Sequence, residues 1–394
     1  MIKDNFYEKI SLILILTILN NYLLLSFNIP QLLIKINFLF FILVISFFYF
    51  KNFLENPYLK IFFLFIIFIS LGTPTFEWDA RSIWLFHAKR IFYDQSIFSI
   101  TDNYARFSHN AYPTLVPALA SSLATLIGHW NEVFPKLSFT LVFLPPLILT
   151  YIFFKNTKYL IFLFIVFFTI GKFLFNGWAD GLVAIYFGLS ALLMYLLCIT
   201  ENRTYKENLI YYFLAICFFI TLTLIKNEGI ALLLILFTVT FLMKLFGNKN
   251  KKDIYNIFFL SCSFLPIILW KVFCYYNQII DVYSDNDIFL NFFTRFQYIE
   301  NYKLIAYFLL LNEKFLICLF FFLFSFWLNL DKNLLIFVFL NLTFYIIVLF
   351  FIFLSTHVDF YFQLDSAASR VIRSLNFFLA FFGLYNLRYY KKLY

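Results

Sequence analysis

The chain has 394 residues, 63% hydrophobic and 13% charged, with a mean hydropathy of +0.86. Soluble domains carry about 45–50% apolar and about 25% charged residues, so a water-soluble fold is excluded. The net charge of +9 would suggest nucleic acid in a soluble protein. Here the basic residues sit in short loops, as membrane topology requires, and no nucleic-acid partner is expected.

The apolar runs are continuous rather than alternating, which selects helices over a barrel. The 63 Phe and 27 Tyr resemble the compositional drift of an AT-rich genome rather than an aromatic ligand site. Lys3 and Lys9 lead into an apolar run over 10–27 with no cleavage site after it, so the first helix is expected to be retained. Spans are expected near 9–27, 32–50, 57–73, 137–154, 159–175, 181–199, 209–225, 230–246, 254–273, 304–330, 334–354 and 371–387. The stretch 112–128 is apolar but short, rich in small residues and interrupted by Pro113 and Pro117. If it does not cross, the basic loops at Lys51 and Lys60, Lys155 and Lys158, Arg203 and Lys206, Lys249, Lys251 and Lys252, and Arg388, Lys391 and Lys392 share one side. It is therefore read as a helix lying at the membrane surface or re-entering it. The expectation is an all-α polytopic membrane protein of twelve spans, both termini cytoplasmic, forming a single transmembrane domain over 1–394.

Cys198, Cys217, Cys262, Cys274 and Cys318 lie in or beside apolar runs with no metal-binding spacing, so neither a disulfide framework nor a zinc site is expected. No internal repeat is visible. The polar segments 74–136, 176–180, 226–229, about 275–303 and 355–370 collect on the side opposite the basic loops.

The first cluster contains Glu77, Trp78, Asp79, Arg81, Trp84, Lys89 and Arg90 just after a span. A helical period puts Asp79, Ser82 and Phe86 on one face, and Arg81, Trp84 and Ala88 on another. Either this is an amphipathic interfacial helix with tryptophans at the headgroups, or its carboxylates serve as a general base at the membrane surface. Ser108-His109-Asn110-Ala111-Tyr112-Pro113 opens a Pro-started helix. Asp180 precedes a span, as a first-turn carboxylate does, yet a charge at the membrane edge also marks function. Lys226-Asn227-Glu228-Gly229 has the make-up of a tight turn and the same unusual charge. The last cluster runs from Thr356 through His357, Asp359, Gln363 and Asp365 to Arg370, with Arg373 one turn further on the same face. It reads either as a loop with a snorkelling base or as a guanidinium pair suited to a phosphate ester.

With these clusters in order, the chain resembles the GT-C superfamily of polyprenyl-phosphate-sugar-dependent glycosyltransferases. Relatives there include protein O-mannosyltransferases and lipid A aminoarabinose transferases. The resemblance covers residues 57–373 and leaves the helix pair in 1–56 as an addition. Glu77-Trp78-Asp79 matches the family's acidic first loop, and Tyr112-Pro113-Thr114-Leu115 its membrane-surface helix. Ala179-Asp180 and Lys226-Asn227-Glu228-Gly229 look like two further family segments. Thr356, Asp359, Leu364 and Arg370 keep the places of a late motif in which Phe362 and Gln363 replace Trp and His. His357 does not stand at the matching position.

The resemblance implies a glycosyltransferase of the bacterial cell envelope, in the inner (plasma) membrane. It would transfer a sugar from a polyprenyl-phosphate-linked donor to a lipid, glycan or protein acceptor on the extracytoplasmic face. Asp79 is the expected base and Glu77 its substitute. Arg370, Arg373, Lys226 and more weakly Lys89 are expected at the phosphate, and Asp180 at the acceptor. Arg81, His109, Tyr112, Glu228, Asp359 and Gln363 complete the expected substrate contacts. No metal constellation stands out, although a divalent cation held by Asp79, Asp180 and Glu228 is compatible with the pattern. The alternatives are a transporter or flippase, a polymerase or ligase of lipid-linked saccharides, and a structural subunit. A transporter is expected to show repeats and helices broken at the midplane.

Overall fold

The computed structural model describes residues 4–51, 57–99, 105–199, 205–246, 251–279, 288–356 and 358–388. Basic residues 203, 249, 391 and 392, and His357, lie outside them. The described residues are helical and contain no strand. In order, α1 (Asp4–Ser26), α2 (Gln31–Lys51) and α3 (Pro57–Gly72) lead to a π-helical turn (Ala80–Trp84) continuing into α4 (Leu85–Asp94). Then come α5 (Leu115–Ile127), α6 (Leu137–Val142), α7 (Leu144–Thr150), α8 (Thr157–Thr169) and α9 (Asp180–Cys198). The second half holds α10 (Tyr205–Ile225), α11 (Asn227–Phe246), α12 (Lys251–Ser261), α13 (Leu265–Tyr276), α14 (Ile288–Phe296), α15 (Ile299–Leu310), α16 (Glu313–Leu328), α17 (Lys332–Ser355) and α18 (Phe360–Leu387).

Among the described residues, seven helical segments are long and apolar enough to cross a membrane: α1, α2, α9, α11, Tyr255–Tyr276, α17 and α18. The pair α15 and α16 makes an eighth only if its 67° bend is allowed within one span. Of the other expected spans, α3, α8 and the apolar part of α10, Leu209–Ile225, are shorter. α8 has 13 residues, about 20 Å at 1.5 Å per residue, against a hydrocarbon core of about 30 Å. The expected span 137–154 is two pieces, α6 and α7, with Pro145 and Pro146 in the first turn of the second. The expected span 304–330 breaks where Asn312 interrupts the apolar run and accepts a 3.2 Å hydrogen bond from the Phe315 N–H, starting a new helix.

α9 is the central post. Its apolar window is wholly buried, against 78% for α18 and 22% for the peripheral α2. It packs on α10, α11 and α18, with Phe187 stacked on Phe378 at 5.0 Å. Asp180 is its first residue, so this carboxylate stands at one end of the bundle rather than halfway along it.

The stretch 112–128 forms α5, whose 13 residues are too short to cross. Residues Leu115 to Thr125 are all buried, against α4, α1, α2, α6 and α10. The sequence reading gives a helix at the membrane surface or re-entering the membrane; α5 is packed into the bundle from Leu115 to Thr125. The loop ends where it began: Lys136, buried before α6, donates through Nζ to the Thr73 carbonyl and, at 3.3 Å, to Thr73 Oγ1. Both ends of 74–136 thus lie at one level. With Cys introduced at exposed Asp94 and Glu132 on a cysteine-free background, an impermeant thiol reagent should label both from the same side. Labelling from opposite sides would mean that α5 crosses.

His87 pins this loop internally. Its Nε2 lies 2.8 Å from the Ser108 carbonyl and its Nδ1 is buried without a partner. Burial pulls its pKa from 6.5 down to about 4, against the opposing pull of that carbonyl. From pH 6.5 down to about 4 the unfolded chain binds more protons than the folded one. The contribution is complete above pH 6.5 and falls through that window by up to about 3 kcal/mol. In thermal unfolding, His87→Gln should flatten the acid-side loss of stability. A slope equal to wild type would contradict this.

Candidate functional site

Four separate parts of the chain deliver charges to one end of the bundle. The loop after α3 brings Asp79, α9 brings Asp180, the α10–α11 turn brings Lys226 and Glu228, and α18 brings Arg370. Arg370 Nη2 bonds Asp79 Oδ2 and, at 3.0 Å, Asp180 Oδ2. Lys226 Nζ bonds Asp180 Oδ1 at 2.9 Å and Glu228 Oε1 at 2.8 Å. Acid and base therefore alternate along Asp79, Arg370, Asp180, Lys226 and Glu228. Asp180 is the hub, with one oxygen on each cation and its side chain only 3% exposed.

Local sequence explains the placement. Between α10 and α11 the Gly229 N–H bonds the Lys226 carbonyl at 2.9 Å, and a Cβ on Gly229 would lie 2.0 Å from the Leu222 carbonyl oxygen. Only glycine allows a turn this tight, and the turn aims Lys226 inward. Gly177 has φ of +86°, and a Cβ there would stand 2.8 Å from Ala80 Cβ. This close approach carries Trp178 to Arg370, whose guanidinium lies 4.1 Å from the ring centroid.

The helical face expected for Arg81, Trp84 and Ala88 is not kept. The π turn widens the spacing, so Arg81 is exposed while Trp84 and Ala88 are buried. Trp84 is no headgroup anchor. It packs beside Tyr112 at 5.9 Å, and Tyr112 stacks on His109 at 4.7 Å. Tyr112 is close enough to Lys226 to act on its charge. Burial opposes the Lys226 charge, but Asp180 and Glu228 outweigh it and raise its pKa well above the lysine range.

The other expected residues divide. Glu77 does not join the chain; it pairs with exposed Lys172 at 2.8 Å and accepts from Asn176 at 3.4 Å. Lys89 is exposed, like Arg81. Asp359 caps α18, accepting from the Phe362 N–H at 2.8 Å. Gln363 is buried with Oε1 unpartnered. Arg373 does not share a ligand with Arg370; it lies 3.9 Å from the Phe173 ring centroid and reaches the Thr169 and Ile170 carbonyls at 3.4 Å. Sequence reasoning missed Lys172, Trp178, Lys136, Lys314 and Arg295. Lys172 and Lys314 fall inside expected spans, where a charge is itself a signal. Arg295 Nη1 donates to the Thr356 carbonyl at 2.7 Å and steadies the entry to α18.

Asp79, Asp180 and Glu228 are joined by the protein's own cations, and the described residues contain no group of three or more His, Cys, Asp or Glu able to hold a metal ion. Beside the charges runs an apolar groove of about 810 Å³ between α11 and α13. Ile230, two residues after Glu228, lines it, as do Leu234, Ile268 and Tyr276. Lys271 also lines the groove and bonds the carbonyl of Ala111, next to Tyr112, at 3.1 Å. No family model, curated protein or solved structure matches the chain.

Removing one member of a buried ion pair strands the other and costs about 3–5 kcal/mol. Lys226→Met should destabilise the solubilised protein by that order, because Asp180 and Glu228 lose their shared cation. Lys172→Met, at a 58% exposed side chain, should cost under about 1 kcal/mol. Equal losses in thermal unfolding would show that the buried chain carries no special weight.

Proposed function

We propose that this chain is a membrane glycosyltransferase, moving a sugar from a polyprenyl-phosphate donor to an acceptor on the extracytoplasmic face. The observation that carries this reading is the convergence of five ionised side chains beside an apolar groove. A lipid-linked donor needs both features: apolar space for its chain, and charges at the membrane edge for its head. The resemblance to the GT-C superfamily rests in part on the same residues.

Asp79 is the base. Arg370 holds its Oδ2, which leaves Oδ1 to take the proton. The acceptor hydroxyl or amine attacks the anomeric carbon as its proton passes to Asp79. The bond from that carbon to the phosphate oxygen breaks, and its electron pair leaves with the lipid phosphate. Arg370 then has a second task, because a guanidinium shared by two carboxylates can turn toward the arriving phosphate. Asp180 keeps Arg370 and Lys226 in register, and the isoprenoid chain lies in the α11–α13 groove.

A lipid-linked saccharide transporter is the second reading, and the break between α15 and α16 favours it. Broken helices line transport sites at the midplane. This break lies level with Arg373, toward the end of the bundle that carries the charges, which fits an edge site better.

Asp79→Asn separates the two. It preserves side-chain size and removes the proton acceptor, so transfer should fall by about 10²–10⁴-fold while donor binding is retained. Glu77→Gln should cost much less. Full transfer by both variants would remove this loop from the chemistry.

A further inference from the structure

Four cations approach α18 from its own residues and its neighbours, and their surroundings differ. Arg370 and Lys226 are each held between two carboxylates. Arg373 and Lys314 form no ion pair with any described residue. Their contacts are aromatic faces and backbone carbonyls: Phe173, Thr169 and Ile170 for Arg373, and the Phe168 carbonyl at 3.0 Å for Lys314. Both line a cavity of about 250 Å³ at the break between α15 and α16, together with Asn312, Glu313, Ser369 and Asn376.

Two cations sharing one cavity repel each other unless an anion lies between them. Charges inside a membrane bundle are costly without such a partner. The positive end of α16 opens at the same place. Asn376 is 1% exposed and lines the cavity, yet its Oδ1 has no hydrogen-bond partner. Its Nδ2 is not enclosed in this way, so the carboxamide's N–H groups are donors open to a ligand. Arg373 Nε is buried and unpartnered. Glu313 is exposed and opposes an anion only weakly, through solvent.

We infer that this cavity is a phosphate-binding site, separate from the Asp79 chain, taking a phosphate ester through Arg373, Lys314 and Asn376. The volume holds one phosphate group and part of what it is attached to. The ester is either a membrane lipid headgroup or a soluble phosphate, and the site stands whether or not the chain transfers sugar.

The test uses the full chain in nanodiscs. In phosphatidylcholine discs, inorganic phosphate is titrated calorimetrically. In discs containing phosphatidylglycerol, retained anionic lipid is counted by native mass spectrometry. Binding in the first arm identifies a soluble phosphate, and retention in the second alone identifies a headgroup. In whichever arm binds, Arg373→Gln and Lys314→Gln should each weaken it about tenfold or more. Glu313→Gln should strengthen it, and Lys303→Gln, in an exposed pair with Glu300, should leave it unchanged. If Arg373→Gln does not fold, the opposite effects of Lys314→Gln and Glu313→Gln carry the test. No binding in either arm, or binding that neither Lys314→Gln nor Glu313→Gln alters, overturns the site.

Discussion

Ionised groups buried at the end of an apolar bundle cost several kcal/mol each unless every one meets an opposite charge in good geometry. The Asp79 to Glu228 chain meets that condition by alternation, and the condition fixes much of the architecture. Asp180 can sit 3% exposed only because Arg370 reaches it from α18 and Lys226 from the α10–α11 turn. Those two contacts tie three helices to the first residue of the central α9. Arg370 in turn holds Asp79, and so draws in the π turn and the α4–α5 loop. Three carboxylates against two cations leave one negative charge in excess. An anionic ligand arriving there must displace a carboxylate rather than fill an open positive site.

That excess gives the neighbouring cavity its significance. Arg373, one turn along from Arg370, faces a space with a second cation and no paired carboxylate. The two sites therefore differ in sign. The apolar groove between α11 and α13 begins on the Glu228 side of the first, at Ile230.

Much of the site was legible in the sequence because membrane segments give charges few places to go. Asp79, Asp180, Lys226, Glu228 and Arg370 stood out as ionised residues at the ends of apolar runs, and they meet. What could not be read was the pairing. Arg370 and Arg373 share a helical period, yet one turns to carboxylates and the other to Phe173, which depends on neighbours far away in sequence. The π turn also defeated the face assignment at Arg81 and Trp84, because a 3.6-residue period is not kept there. Hydropathy marked the helices but not their breaks. The run over 304–330 is apolar enough to be one span, and the restart is signalled by Asn312 with the charges of Glu313 and Lys314 after it. Span number suffers most, since α3 and α8 are apolar but short.

Whether a covalent bond changes beside these charges separates a transferase from a transporter. The most direct measurement supplies the purified chain, in nanodiscs, with native polyprenyl-phosphate lipids labelled in the sugar. The expected result is label on an acceptor together with an equal amount of free polyprenyl phosphate. Label that stays on its lipid, with the intact lipid-linked sugar moved between leaflets or not moved at all, would contradict the transferase reading.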